Sequence, residues 1–306
     1  MTHLLSLEDL GPEEVQHIVR LALELKNSPG RFQGLLKGRW LLMLFQKSST
    51  RTRLSFEMGI KLLGGDAVVM DWDNSNFAIS PIRYEAAYVS RHVDLVMARL
   101  KQHADTHALA EFSNVPVING CDDKFHPCQA LTDLVTVYET AGTFEGQTLT
   151  YVGIHNNVAN SLAIACGQVG LNLILVTPET NPAADDPALM KRIFAKGYLV
   201  QSDDLKEAVK QSNFVYTDTW VDMEFFQDEK FKVEKERRIE AMLPYQLNSE
   251  NMAGSQAYIL HDMPIHPGYE ISEELVDSPR SRIYQQAENR LYAQQALMLH
   301  LLGAGG

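Results

Sequence analysis

No stretch of this 306-residue chain approaches the roughly 18 consecutive apolar residues that a membrane helix needs. The amino-terminal MTHLLSLEDLGPEEVQHIV also lacks the basic segment and unbroken apolar run of a secretory signal. Cysteine is scarce: Cys121, Cys128 and Cys166 are the only three, and their spacing fits neither a zinc site nor a disulfide framework. Positive charge is short too, with 27 Lys and Arg against 39 Asp and Glu, a net charge of -12 that argues against nucleic acid or an anionic membrane as partner. Internal repeats and low-complexity tracts are missing. These absences predict a soluble protein of the reducing cytoplasm that carries no metal. Any anion it binds must be gripped locally.

What the chain does have is alternation. Short aliphatic runs recur between longer segments of helical period, the pattern of a parallel sheet flanked by helices. The expected strands are WLLMLF (40–45), AVVMDW (67–72), DLVMAR (94–99) and VPVIN (115–119), then LTYVGI (149–154), LILVT (173–177), FVYTD (214–218) and AYILHD (257–262). Between these groups, residues 126–142 read as a helix, with Leu131, Leu134, Val135 and Tyr138 on one face and Gly142 as its stop. The sequence therefore predicts the α/β class: two doubly wound parallel-sheet domains, 1–142 and 143–283, with the active site between them. A second amphipathic helix ends the chain, and the mixed-sign stretch QDEKFKVEKERRIEAM (227–242) reads as a solvated helix face or a lid-like insertion.

The unusual polar residues collect just beyond the expected strand ends. Ser49, Thr50, Arg51 and Thr52 follow the first strand, Arg99 closes the third, and His126 and Gln129 follow the fourth. In the second half Asn156 and Asn157, Asp218, and His261 with Asp262 hold the equivalent places. Ligand crevices of open α/β sheets lie outside the carboxyl ends of strands, so two facing domains would build one site from both sets. A helix starting at SSTRT offers free N–H groups and hydroxyls to a phosphate, with Arg51 as a planar fork and Arg99 approaching from the next loop; Arg53 reads as structural. The stretch lacks the glycines and lysine of a P-loop, and VGIHNNVANS lacks the G-x-G-x-x-G turn of a nicotinamide site. His126 precedes Pro127 at a helix's first turn, where it reads as a cap or as a donor to a carbonyl oxygen, and Gln129 presents its amide nearby. Cys128 reads as a packed thiol.

Taken together, STRTR, HPCQALTDL, HDMP and ENR, with LLSLEDLGPEE, VPVING, TDTWVDM, LPYQLN and SPRSRIYQQAENR, resemble the aspartate/ornithine carbamoyltransferase family over essentially the whole chain, most closely its ornithine branch. The resemblance implies a carbamoyl phosphate domain, with the last helix (about 284–306) packing back on it, and an acceptor domain. It further implies a homotrimer or a multiple of trimers, a place in arginine biosynthesis, and chemistry without a cofactor. It puts Ser49, Thr50, Arg51, Thr52 and Arg290 on the phosphate, Arg99 toward the carbamoyl oxygen, and His126 and Gln129 on the carbamoyl group. The backbone at Asp262 and Met263 corresponds to carbonyls that hold the carbamoyl amide, and Asn157 and Asp218 to residues that hold the acceptor.

The departures fall on the acceptor side. Ornithine enzymes read SMG where this chain has Asp222-Met223-Glu224, HCLP where it has His261-Asp262-Met263-Pro264, and DGNN where it has Ile154-His155-Asn156-Asn157. Acids at 222 and 262 facing an α-carboxylate would repel it unless His155 or another cation compensates. The resemblance makes ornithine the leading acceptor, giving citrulline; the acids favour a diamine or a modified amino acid as the alternative, unless the longer insertion after Trp220 carries Asp222 into solvent. A catalytically silent ligand-binding paralogue is the reading from another class, disfavoured because Arg51, Arg99, His126, Gln129 and Arg290 are all present.

Overall fold

The computed structural model describes residues 2–221 and 229–304. In chain order the first half runs α1 (Pro12–Asn27), β1 (Trp40–Phe45), α2 (Thr50–Leu62), β2 (Asp66–Asp71), α3 (Ile82–Val89), β3 (Leu95–Arg99), α4 (His103–Phe112), β4 (Val117–Cys121) and α5 (Pro127–Ala141). The second half runs β5 (Thr148–His155), α6 (Asn157–Val169), β6 (Asn172–Thr180), α7 (Pro187–Phe194), β7 (Leu199–Gln201), α8 (Leu205–Lys210), β8 (Phe214–Thr217), α9 (Lys232–Met242), β9 (Tyr258–His261), α10 (Glu273–Val276) and α11 (Ile283–Leu301). All pairings are parallel, in the orders β2-β1-β3-β4 and β7-β6-β5-β8-β9. The fold is the expected two-sheet α/β class.

The eight expected strands form, with ends displaced by up to three residues, and β7 joins them at an edge of the second sheet. It escaped the sequence reading because three residues carry no measurable period and Val200 is exposed. Both sheets wind in two directions. The chain steps from β1 outward to β2 and then crosses to β3; in the second half it runs β5, β6, β7 and crosses to β8. The reversal points, between β1 and β3 and between β5 and β8, are where loops diverge and open a crevice.

Two helices join the halves. Pro127 occupies the first position of α5, where its missing N–H is not needed, and Gly142 ends the helix in the left-handed region (φ 75°), its N–H donating to the Tyr138 carbonyl at 2.8 Å. α5 packs against α1, α6 and α11, and α11 also packs on α2 and β9. The main apolar core is accordingly continuous across both halves, from Met43 and Phe56 to Leu162 and Phe214. The charged stretch becomes α9, whose exposed Arg237 pairs with Glu234 and Glu179. Asp222, Met223 and Glu224 lie outside the described residues.

Candidate active site

A cleft of about 810 Å³ opens at the carboxyl ends of both sheets. Its first wall is the start of α2. Ser49 caps that helix, its Oγ accepting the Thr52 N–H at 3.2 Å and donating to Thr52 Oγ1 at 3.0 Å. Ser48, Ser49, Arg51 and Thr52 line the cleft, while Thr50 sits at the exposed first position of the helix and does not. Arg53 turns outward to an ion pair with Glu57 at 3.2 Å.

Three guanidinium groups converge here from three elements: Arg51 from α2, Arg99 from the end of β3 and Arg290 from the middle of α11. Burial, with repulsion from the other two arginines, depresses the pKa of Arg290; burial, with Arg99 beside it, does the same to Arg51 against the pull of Asp262 and Asp218. Such a cluster favours a multiply charged anion. The buried Nε atoms of Arg99 and Arg290 have no hydrogen-bond partner among the described residues.

His126 precedes α5 as its cap residue. Its own N–H donates to Ser161 Oγ at 2.7 Å, and its buried Nδ1 has no partner among the described residues. Burial, then Arg290, Arg99 and Arg51, push its pKa well below the ordinary histidine value, so the ring is neutral. Gln129 is fully buried and does not line the cleft. Its Oε1 accepts from Arg290 Nη1 and its Nε2 donates to Asp133 Oδ1 at 2.8 Å, so it stands one layer behind, holding Arg290 in place. Arg290 Nη2 reaches Thr52 Oγ1 at 3.2 Å, which ties the last long helix to the start of α2.

The facing wall comes from the second sheet. Asn156 caps α6 through its Oδ1 and donates Nδ2 to Asp218 Oδ2 at 2.7 Å. Asn157 lines the cleft and anchors to the Asp122 carbonyl at 2.6 Å. Asp218 and Asp262 follow β8 and β9, and both residues line the cleft, as does Met263, whose backbone takes the left-handed region (φ 64°). His155 is not the compensating cation the sequence suggested: it is buried against Asn160 Oδ1 at 2.8 Å, outside the cleft lining, and burial lowers its pKa.

Sequence reasoning missed Asp133 and Gln286. Gln286 donates to Asp133 Oδ1 at 2.6 Å and accepts the His261 N–H at 2.8 Å, so one side chain of α11 bridges α5 to the end of β9. Burial pushes the Asp133 carboxyl up to about 7. The available signal was an acid inside the apolar face of α5; Gln286 offered none. Lys47 and Lys101 also line the cleft. Cys121, Cys128 and Cys166 are all free and buried, and burial raises the Cys128 thiol to about 12, which keeps it protonated. Among the described residues no group of His, Cys, Asp and Glu is arranged to hold a metal, and no helix is long and apolar enough to cross a membrane.

The family described as aspartate/ornithine carbamoyltransferase, carbamoyl-P binding domain, matches residues 2–139, and its Asp/Orn binding domain matches residues 145–301. An ornithine carbamoyltransferase of Archaeoglobus fulgidus is 39% identical over 311 residues, covering 99% of this chain and 98% of that one. Among solved structures, the ornithine carbamoyltransferase from Pyrococcus furiosus superposes with a TM-score of 0.90 at 37% identity, covering 98% of this chain and 97% of that one. The enzyme from Thermus thermophilus gives 0.86 at 36%, covering 99% of each. With both sheets, the arginine cluster and the full length accounted for, the chain belongs to the aspartate/ornithine carbamoyltransferase family.

Proposed function

We propose that the chain moves the carbamoyl group of carbamoyl phosphate onto the side-chain amine of ornithine, giving citrulline and phosphate. The observation that carries this reading is the convergence of Arg51, Arg99 and Arg290 on the amino end of α2, opposite the wall of Asn157, Asp218 and Asp262. The phosphate is held by Arg51, Arg290, the hydroxyls of Ser49 and Thr52, and the first N–H groups of α2, including that of Thr50. Arg99 and neutral His126 direct donors at the carbamoyl oxygen, and Gln129 acts through Arg290. Main-chain carbonyls at Asp262 and Met263 take the carbamoyl amide, and Asn157 and Asp218 hold the amino acid. The amine nitrogen attacks the carbamoyl carbon, the new C–N bond forms, and the bond from carbon to the bridging phosphate oxygen breaks. Charge that develops on the carbonyl and phosphate oxygens meets preorganised donors, so the reaction needs no redox cofactor.

The test supplies purified protein with carbamoyl phosphate and one amine at a time. Ornithine is expected to release phosphate and form ureido product one for one. Turnover of a diamine with none of ornithine would overturn the acceptor; no ureido product from any amine would overturn the transfer.

The assembly we propose is a homotrimer, alone or in multiples. The outer face of α2 exposes Leu54, Met58 and Leu62 at successive turns, and the neighbouring edge strand β2 exposes Val68 and Val69. An apolar face of this kind suits burial against another subunit. Light scattering should return a mass of three chains or a multiple; a monomer would count against it. Buried free thiols suit a reducing compartment, and we place the enzyme in the cytoplasm.

A further inference from the structure

β8 and β9 are parallel neighbours in register, Thr217 opposite His261, so the next residue of each, Asp218 and Asp262, leaves adjacent strand ends on the same side of the sheet. Both residues line the same cleft, and each perturbs the ionisation of the other. Two buried carboxyl groups at neighbouring strand ends avoid adjacent charges by sharing a proton. Asp218 already accepts N–H bonds on both oxygens, from Asn156 at 2.7 Å and Thr219 at 2.6 Å, whereas the buried Oδ1 of Asp262 has no hydrogen-bond partner among the described residues.

We propose that Asp218 and Asp262 form a carboxyl pair holding one proton between them, and that Asp262 takes the proton which the acceptor's ammonium must lose before it attacks. The inference rests on the carbamoyl-transfer reading above. The ammonium N–H bond breaks and its proton passes to Asp262, leaving both acids protonated and the nitrogen lone pair free. That nitrogen bonds to the carbamoyl carbon, the C–O bond to phosphate breaks, and the second nitrogen proton leaves with the phosphate. The pair then returns its extra proton to solvent. One ammonium and one carbamoyl phosphate dianion thus give a neutral ureido group, a hydrogen phosphate dianion and one released proton.

The surroundings support a single charge on the pair. Burial raises both carboxyls, with Asp262 adding to the rise of Asp218, while Arg51 and Arg290 pull Asp262 toward ionisation. Among the described residues Asp133, the Tyr216 hydroxyl, the Cys121 thiol and His261 also face the pair. His261 Nδ1 lies 3.6 Å from Asp262 Oδ1 but accepts the Met263 N–H at 2.8 Å, and its Nε2 faces Glu270 Oε1 at 3.0 Å, so it offers Asp262 no proton. With one negative charge shared by two acids, Asp262 adds no second charge to repel an α-carboxylate. The acid at 262 therefore gives no reason to prefer a diamine over ornithine.

The experiment uses the full chain, wild type and Asp262→Asn, with Asp262→Cys as a second variant should the first fail to fold. Without substrate, thermal midpoints are followed from pH 5 to 9. The native pair holds a proton that the unfolded chain has lost above about pH 4, so wild-type stability falls as pH rises through the pair's titration. The variant should lack that part of the fall; identical slopes would overturn the shared proton. With saturating ornithine, or the best amine of the panel, the variant should lose about tenfold or more in kcat at pH 7. Its rate should then climb about tenfold per pH unit as solvent supplies neutral amine, with KM within about threefold of wild type. A loss equal at every pH, an unchanged kcat, or a lower KM with improved turnover would each overturn the role. If no amine is carbamoylated, the functional reading fails while the thermal comparison still decides whether the pair shares a proton.

Discussion

Arg51→Ala is expected to lower kcat/KM for carbamoyl phosphate by about a hundredfold or more, the usual effect of removing one preorganised charged donor from a site of this kind. The folded state should hardly notice. Arg51 sits in the first turn of α2, where a cation opposes the helix dipole, and Arg and Ala differ little in helix propensity. Burial and the neighbouring Arg99 depress its pKa against the pull of Asp262 and Asp218, and Arg51 in turn depresses Arg290 and His126, so deleting it relieves repulsion among the cations while giving up its attraction to the two acids. Arg53→Ala, two residues on, removes only an exposed pair with Glu57 and should change kcat/KM by less than about twofold. The measurement is initial rate against carbamoyl phosphate with ornithine saturating, beside a thermal melt of each variant. Wild-type kinetics in a folded Arg51→Ala protein would remove the phosphate cradle from the mechanism.

The contrast between Arg51 and Gln129 shows what a linear sequence discloses. Residues that end strands were legible, because the carboxyl end of a parallel strand is already a site position: Ser49, Arg99, Asn157, Asp218 and Asp262 all line the cleft from such ends. Gln129 lies only three residues past His126, yet the turn of α5 carries it behind the wall, into contact with Arg290 from the far end of the chain. That layer, with Asp133 and Gln286 153 positions apart, depends on how α11 returns across both halves, and no local period records such a return. His155 misled for the opposite reason. It ends β5, as a site residue should, but that strand is buried on both faces and the ring lies in the interior against Asn160, where burial lowers its pKa.

His126→Leu is expected to act on a different quantity from Arg51→Ala. The imidazole is neutral because burial and three nearby guanidiniums exclude a fourth positive charge, yet a neutral ring still carries one N–H, which the proposed mechanism directs at the carbamoyl oxygen. Replacing it removes a donor aimed at charge that grows in the transition state, so kcat should fall by about a hundredfold to a thousandfold. On the proposed assignment affinity for carbamoyl phosphate rests on Arg51, Arg290 and the start of α2, and it should shift by less than about tenfold. A kcat loss with little change in affinity is the signature of an interaction made in the transition state. His126→Gln, which restores an N–H on a longer arm, should recover part of the loss. The pH dependence carries an independent sign. With the native pKa depressed, the unfolded chain binds a proton near pH 6.5 that the native ring refuses, so stability present above that pH is lost as pH falls toward the native value. His126→Leu should remove part of this acid sensitivity, and the buried His155 should retain its own share. Steady-state kinetics at pH 8 and thermal melts from pH 5 to 8 check both halves of the expectation. A His126→Leu enzyme within threefold of wild-type kcat would leave Arg99 as the only side chain polarising the carbonyl.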